Sequence, residues 1–227
     1  MSASEVFLRA HTYAFLAQAF LYPSQDWTDE LPEVAASLGS RAPEKARPGS
    51  GQGLEALQSE HRRAFGLTGS LAYETECGLP NEFRQSQELA DIAGFYRAFG
   101  LRMGGKVRER PDHIAAELEF LSVLALKEAC AIEAGVVDAL EVCLSAQRKF
   151  LQDHLGRWAG LLARGLGQTV PESPYAELAS LASSFVESEA KRLGVVLEPS
   201  DPAGVRPTPS PANWDCEGCP VVTPAEE

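Results

Sequence analysis

The sequence predicts an all-α protein, a single-domain helical bundle followed by a flexible C-terminal tail. Three observations carry this. Alanine, leucine and glutamate are plentiful while valine and isoleucine are sparse, a balance that favours helix over strand. Apolar residues recur at helical spacing along most of the first 195 positions. From residue 196 prolines accumulate and the periodicity is lost, so 196–227 reads as a disordered tail. A chain of 227 residues, 44% of them hydrophobic, buries roughly 70% of its unfolded surface and needs neither disulfide nor metal to fold.

The elements follow in order. Residues 4–21 form a helix with Phe7, Leu8, Leu16, Phe20 and Leu21 on its apolar face, stopped by Pro23. A short helix spans 27–38 and ends near Gly39. Residues 40–53 are polar and rich in proline and glycine, a linker. A third helix covers 54–65, and 66–83 is a structured loop. Residues 84–99 return to helix with Leu89, Ile92, Phe95, Tyr96 and Phe99 inward. After a glycine-containing loop over 100–108, Pro111 suits the first turn of a helix and Asp112 complements its dipole. Ile114, Leu118, Leu121 and Ala125 continue that helix. Further helices span 137–165 and 174–194.

A net charge of −12 repels phosphate backbones and anionic lipid, which argues against nucleic acid and membrane surfaces as partners. The N-terminal residues lack a basic segment followed by an apolar run, and no apolar stretch approaches the ~20 residues of a membrane span. Five cysteines at irregular spacing do not form a disulfide framework. The cytoplasm is the expected compartment.

Catalytic readings are weak. A di-iron bundle needs Glu-x-x-His pairs, and none of the four histidines has glutamate three residues before it. His113 and Glu117 are spaced i, i+4, but two ligands do not make a metal site. Residues 100–106 match a phosphate loop up to Lys106, yet Val107 replaces the magnesium-binding hydroxyl and a helix, not a strand, precedes. Cys130 and Cys143 read as small core residues. Cys216 and Cys219 form a lone C-x-x-C in the tail, beside Trp214, and offer a metal or redox alternative. The stretch Glu109-Arg110-Pro111-Asp112-His113 concentrates charge at a helix start, which suits a binding site as well as ordinary capping.

That stretch, continued through Ile114-Ala115-Ala116-Glu117-Leu118-Glu119-Phe120, resembles the signature of the TorD/DmsD/NarJ superfamily of redox-enzyme maturation chaperones. Tyr73-Glu74-Thr75-Glu76 resembles the loop motif preceding it, residues 91–101 resemble the preceding helix, and Lys127-Glu128-Ala129 extends the match. The pattern is most similar to chaperone (delta) subunits of type II enzymes of the dimethyl-sulfoxide-reductase family. The likeness is dense over 70–130 and looser outside, and Glu76-Cys77 departs from it where relatives often carry an aromatic.

The resemblance implies a cytoplasmic chaperone over residues 1–195, not an enzyme and without a cofactor of its own. It implies binding to the catalytic subunit of a molybdopterin-containing oxidoreductase, often at its twin-arginine leader, until cofactor insertion is complete. Asp112 and His113 match positions implicated in leader binding. The candidate partner-binding set is Tyr73, Glu74, Glu76, Tyr96, Glu109, Arg110, Pro111, Asp112, His113 and Glu117. Glu82 adds acidity, and Phe83, Phe95 and Phe99 offer apolar walls, with core packing the plainer role for Phe95 and Phe99. A monomer and a domain-swapped dimer both remain open.

Overall fold

The structure, a computed structural model, describes residues 1–38, 53–66, 71–77, 82–102, 104 and 109–198, with the backbone alone for 82–84. Most of the 40–53 linker, the Phe83 and Glu82 side chains, Lys106 and the tail with Trp214, Cys216 and Cys219 lie outside the described residues. Among the described residues the elements are α1 (Ala3–Phe20), α2 (Leu31–Ser37), α3 (Gly53–Phe65), a 3-10 helix (Glu74–Glu76), α4 (Glu82–Ala98), α5 (Ile114–Ala134), α6 (Val137–Asp153), α7 (Leu155–Thr169) and α8 (Pro174–Leu193), with no strand. The all-α expectation holds. No described helix is long and apolar enough to cross a membrane.

α1 starts on a capping box, with Ser2 Oγ accepting from Glu5 N (3.3 Å) and Glu5 Oε2 accepting from Ser2 N (2.7 Å). Its buried stripe is Val6, Ala10, Tyr13, Leu16, Ala17 and Phe20; Phe7 and Leu8, expected inside, are exposed. The reason is close packing. Ala10 nests with Val6 against Ala125 and Ala129 of α5, and Ser122 Oγ donates to Ala10 O (2.9 Å). Small residues let the α1 and α5 backbones approach, and that contact sets which face of α1 turns inward.

The single helix expected over 137–165 is two. The chain breaks at His154 (φ −127°, ψ −105°) between α6 and α7. A Cβ on Gly156 would lie 2.3 Å from Leu151 O, so the turn admits no side chain there. The short helix α2 is confined to 31–37, with Pro32 in its first turn. Gly135 takes φ +67° to cap α5 and reverse the chain into α6. Cys143 is buried as expected, but Cys130 is exposed, lining an apolar groove with Phe99, Leu126, Val136 and Val142.

An aromatic core of Phe95, Tyr96, Phe120 and Phe150 joins α4, α5 and α6. Elsewhere α1, α5, α6 and α8 are locked by a buried ion network. The Arg9 guanidinium is held by Glu189, donates to Glu128 Oε2 (3.2 Å), and gives a third bond to Gln147 Oε1 (3.0 Å). Arg192 shares Glu189 (3.2 Å). Removing one member of such a set leaves buried charge unpaired. Arg9→Ala is expected to lower unfolding free energy by about 3–5 kcal/mol in urea titrations; a loss below about 1 kcal/mol would show the network to be dispensable.

Candidate partner-binding site

Two segments nearly forty positions apart are stitched together by backbone bonds. Ile114 N donates to Ala72 O (2.9 Å) and Glu74 N donates to Asp112 O (2.9 Å), around an antiparallel bridge between Tyr73 and His113. The Tyr96 hydroxyl on α4 donates to Pro111 O (2.7 Å). The loop is thus fixed on the start of α5. That helix begins at Ile114, not at Pro111 as expected. His113 is its N-cap, with Nδ1 accepting from Ala115 N (3.1 Å), while Pro111 and Asp112 lie in the turn ahead. The cause is the bridge, which holds residue 113 extended, and the Asp112 carboxylate, which is taken by other donors.

Those donors form an upper layer at the surface. Arg110 donates to Asp112 from Nε (3.0 Å) and Nη2 (2.7 Å), and to Glu76 Oε1 from Nη1 (2.9 Å). Nη2 also donates to Thr75 Oγ1 (2.6 Å), and Thr75 Oγ1 donates to Asp112 Oδ2 (2.7 Å). The guanidinium carbon lies 4.5 Å from the Tyr73 ring centre, a cation–π contact. The Tyr73 hydroxyl donates to Glu109 Oε2 (2.8 Å); burial first, then that carboxylate, pushes the phenol up to about 12. Asp112 itself is fully buried, whereas the Arg110 and Glu76 side chains are 37% and 34% exposed.

A lower layer of ionisable groups anchors the loop to the bundle. Glu74 is buried and faces His154 Nδ1 (3.1 Å), whose Nε2 meets Asp91 Oδ2 of α4 (3.2 Å). Burial works against the charge on His154, but Glu74 and Asp91 outweigh it and raise its pKa. Glu117 is fully buried on α5, where Oε2 accepts from Trp158 Nε1 (3.1 Å) and Oε1 has no ordinary hydrogen-bond partner. Burial, then the Glu74 carboxylate, pushes the Glu117 pKa well above the carboxylate range. Burial lowers the His113 pKa, which keeps its ring neutral as a cap.

The ten candidate residues therefore form one unit, divided by depth. Tyr73, Glu76, Glu109, Arg110 and Pro111 reach the surface; Glu74, Tyr96, Asp112, His113 and Glu117 are buried beneath them. His113 and Glu117 are each committed, one to its cap and the other to Trp158. Phe95 and Phe99 pack on Phe120, in the role of core residues. Sequence reasoning missed Thr75, Asp91, His154 and Trp158. Thr75 and Asp91 sat within quoted motifs, but His154 and Trp158 come from a helix pair read as one helix, and nothing local signalled their convergence on Glu74 and Glu117. The arrangement is a charged, half-exposed surface layer held in place by hydrogen bonds from the buried layer beneath it.

The buried acids give a pH signature. A raised Glu117 pKa favours the folded state below the ordinary carboxylate value and costs stability as pH rises toward the folded value. The raised His154 pKa adds stability below its ordinary value that is lost as pH climbs through the folded one. Both make stability fall on the alkaline side. Glu117→Gln mimics the protonated acid, and is expected to flatten that decline in melting temperature between about pH 5 and 9. A Gln variant with an unchanged slope would place the proton elsewhere.

Known proteins resemble this chain over most of its length. The family model described as nitrate reductase delta subunit matches residues 24–164. The selenate reductase assembly chaperone protein of Thauera selenatis is 33% identical over 189 residues, covering 82% of this chain and 89% of the relative. The chlorate reductase assembly chaperone protein of Ideonella dechloratans is 30% identical over 190 residues, with the same coverage of 82% and 89%. The chaperone protein TorD of Vibrio cholerae O1 El Tor is 30% identical over 115 residues, 51% of this chain and 49% of that one. The chain belongs to the nitrate reductase delta subunit family, the TorD/NarJ family that its loop and helix motifs resemble.

Proposed function

We propose that this protein is a system-specific chaperone for the catalytic subunit of a molybdopterin-containing oxidoreductase. It holds that subunit, at its twin-arginine leader or its mature part, in the cytoplasm while cofactor insertion and assembly proceed. The reading is supported by relatives named for assembling selenate and chlorate reductases, both aligned over 82% of the chain. Those relatives are chaperones, not enzymes, in keeping with a site built for recognition.

The observation that carries the site assignment is the bridge between Tyr73 and His113. It brings the two motif segments to one surface, with Tyr73, Glu76, Glu109, Arg110 and Pro111 facing the partner. Asp112, His113, Glu74, Glu117 and Tyr96 act from beneath as positioning residues. Rim carboxylates and the −12 charge of the chain steer a basic leader toward this face.

Isothermal titration calorimetry checks this with the catalytic subunit of a molybdopterin-containing oxidoreductase from the same organism, as leader peptide and as apo-subunit. Binding of at least one is expected, weakened by salt. Glu76→Gln and Glu109→Gln are expected to cost roughly 2- to 5-fold in affinity each. Absence of binding to both ligands would overturn the function; full binding by the double variant would overturn the site alone.

A further inference from the structure

The α5–α6 hairpin carries an apolar groove of about 820 Å³ whose walls include Leu126, Val136 and Val142, all three exposed. Exposed aliphatic side chains gathered on one face mark a contact surface. Two thiols line the same groove, one from each helix: Cys130 of α5, which is exposed, and Cys143 of α6. They are neighbours; burial pushes the Cys143 thiol up, and Cys130 is among the groups that add to the rise. Two sulfurs do not complete a metal site, and among the described residues no three His, Cys, Asp or Glu side chains gather as one. The fifth cysteine, Cys77, is buried in the loop beside Leu71 O (3.7 Å), so the pair left to complete the set is Cys216 and Cys219. The chain also leaves the bundle within reach of the groove. Arg148 Nε donates to Leu193 O (3.3 Å), and Leu197 packs beside Gly156, which puts the outgoing segment at the end of α6. Val142 lies nine residues before Leu151, the Gly156 neighbour, about 14 Å back along that helix. Residues 199–213 include five prolines and can span up to about 45 Å. After them the cysteine pair is flanked by Trp214, Val221 and Val222.

We propose that the tail segment Trp214–Val222 occupies the α5–α6 groove and that Cys130, Cys143, Cys216 and Cys219 together hold one Zn²⁺ in a tetrahedral thiolate site. The C-x-x-C spacing lets two sulfurs grip one cation from a single turn, and the hairpin presents the other two from helices already packed on each other. Each thiol gives up its proton to solvent as it binds, four per ion, and no electron moves. Trp214, Val221 and Val222 then cover Leu126, Val136 and Val142, removing apolar surface from water. A tethered segment acts at a roughly millimolar effective concentration, which favours the chain's own tail over any free peptide. The −12 charge of each chain opposes a second copy as the occupant. The inference goes beyond the proposed function and does not depend on the surface at 71–77 and 109–113.

Titration of the full chain with Co²⁺, its thiols kept reduced under anaerobic conditions, tests this. Wild type is expected to bind one ion per monomeric chain, with the visible spectrum of a tetrahedral thiolate complex, and Zn²⁺ is expected to displace it. Cys130→Ser and Cys216→Ser are each expected to lose that spectrum and to weaken Zn²⁺ binding more than about 100-fold, since a ligand is lost rather than a residue supporting one. Cys130 is exposed, so its serine variant keeps the fold, which an unchanged melting temperature of the metal-free chain checks. Trp214 gives a second readout. Zn²⁺ is expected to shift the emission of wild type to the blue but not that of Trp214→Phe, and Val142→Asp, with all four thiols intact, is expected to cancel the shift. No uptake by reduced wild type, uptake unaffected by Cys130→Ser, or one ion shared by two chains through their tails would overturn the site. A blue shift that persists in Val142→Asp would overturn the groove as the seat of the tail.

Discussion

The site depends on a pair of backbone hydrogen bonds. Ile114 N to Ala72 O and Glu74 N to Asp112 O, both 2.9 Å, are the only regular pairing between chain segments that the described part of this helical protein makes outside helices and their turns. They convert a loop and a helix start into one object. Once residue 73 lies opposite residue 113, Tyr73 falls over the Arg110 guanidinium, Thr75 reaches Asp112, and Glu74 is directed inward to His154. Without the bridge the same residues would be a loop and an ordinary capped helix.

The bundle supplies what the bridge cannot, an interior able to hold charge. Glu74 needs His154 from the α6–α7 break, Glu117 needs Trp158 from α7, and Pro111 O needs Tyr96 from α4. Each partner arrives from a different helix, so the surface layer is as rigid as the bundle beneath it. The division of labour is physical. Buried ionisable groups are costly unless paired and so fix position. Half-exposed ones keep a face toward solvent. Arg110 belongs to the second kind while resting on Asp112, which belongs to the first.

Much of this was legible in the sequence. The composition and 3.6-residue periodicity gave the all-α class and most helices to within a few residues, because amphipathic faces are local signals. Two features escaped because they are tertiary. Phe7 and Leu8 are more apolar than Ala10, yet Ala10 is buried, since close approach to α5 favours the small side chain. The α6–α7 break has no proline, and its cause, the Gly156 contact with Leu151 O, exists only in the folded turn. For the site, the motif residues were recognisable by resemblance and all ten lie together. Their depth was not readable. Asp112 and Glu117 look like solvent-seeking acids in a string of letters, and only the arrangement of Thr75, Arg110 and Trp158 around them explains why they are inside.

The surface formed by residues 71–77 and 109–113 is the proposed seat of the partner. Hydrogen–deuterium exchange of the full chain, with and without the apo catalytic subunit, addresses it directly. Amides of 71–77 and 109–113 are expected to gain protection on complex formation, with α6 unchanged. Protection confined to the apolar groove lined by Leu126, Val136 and Val142, with exchange at 71–77 and 109–113 unaltered, would contradict it.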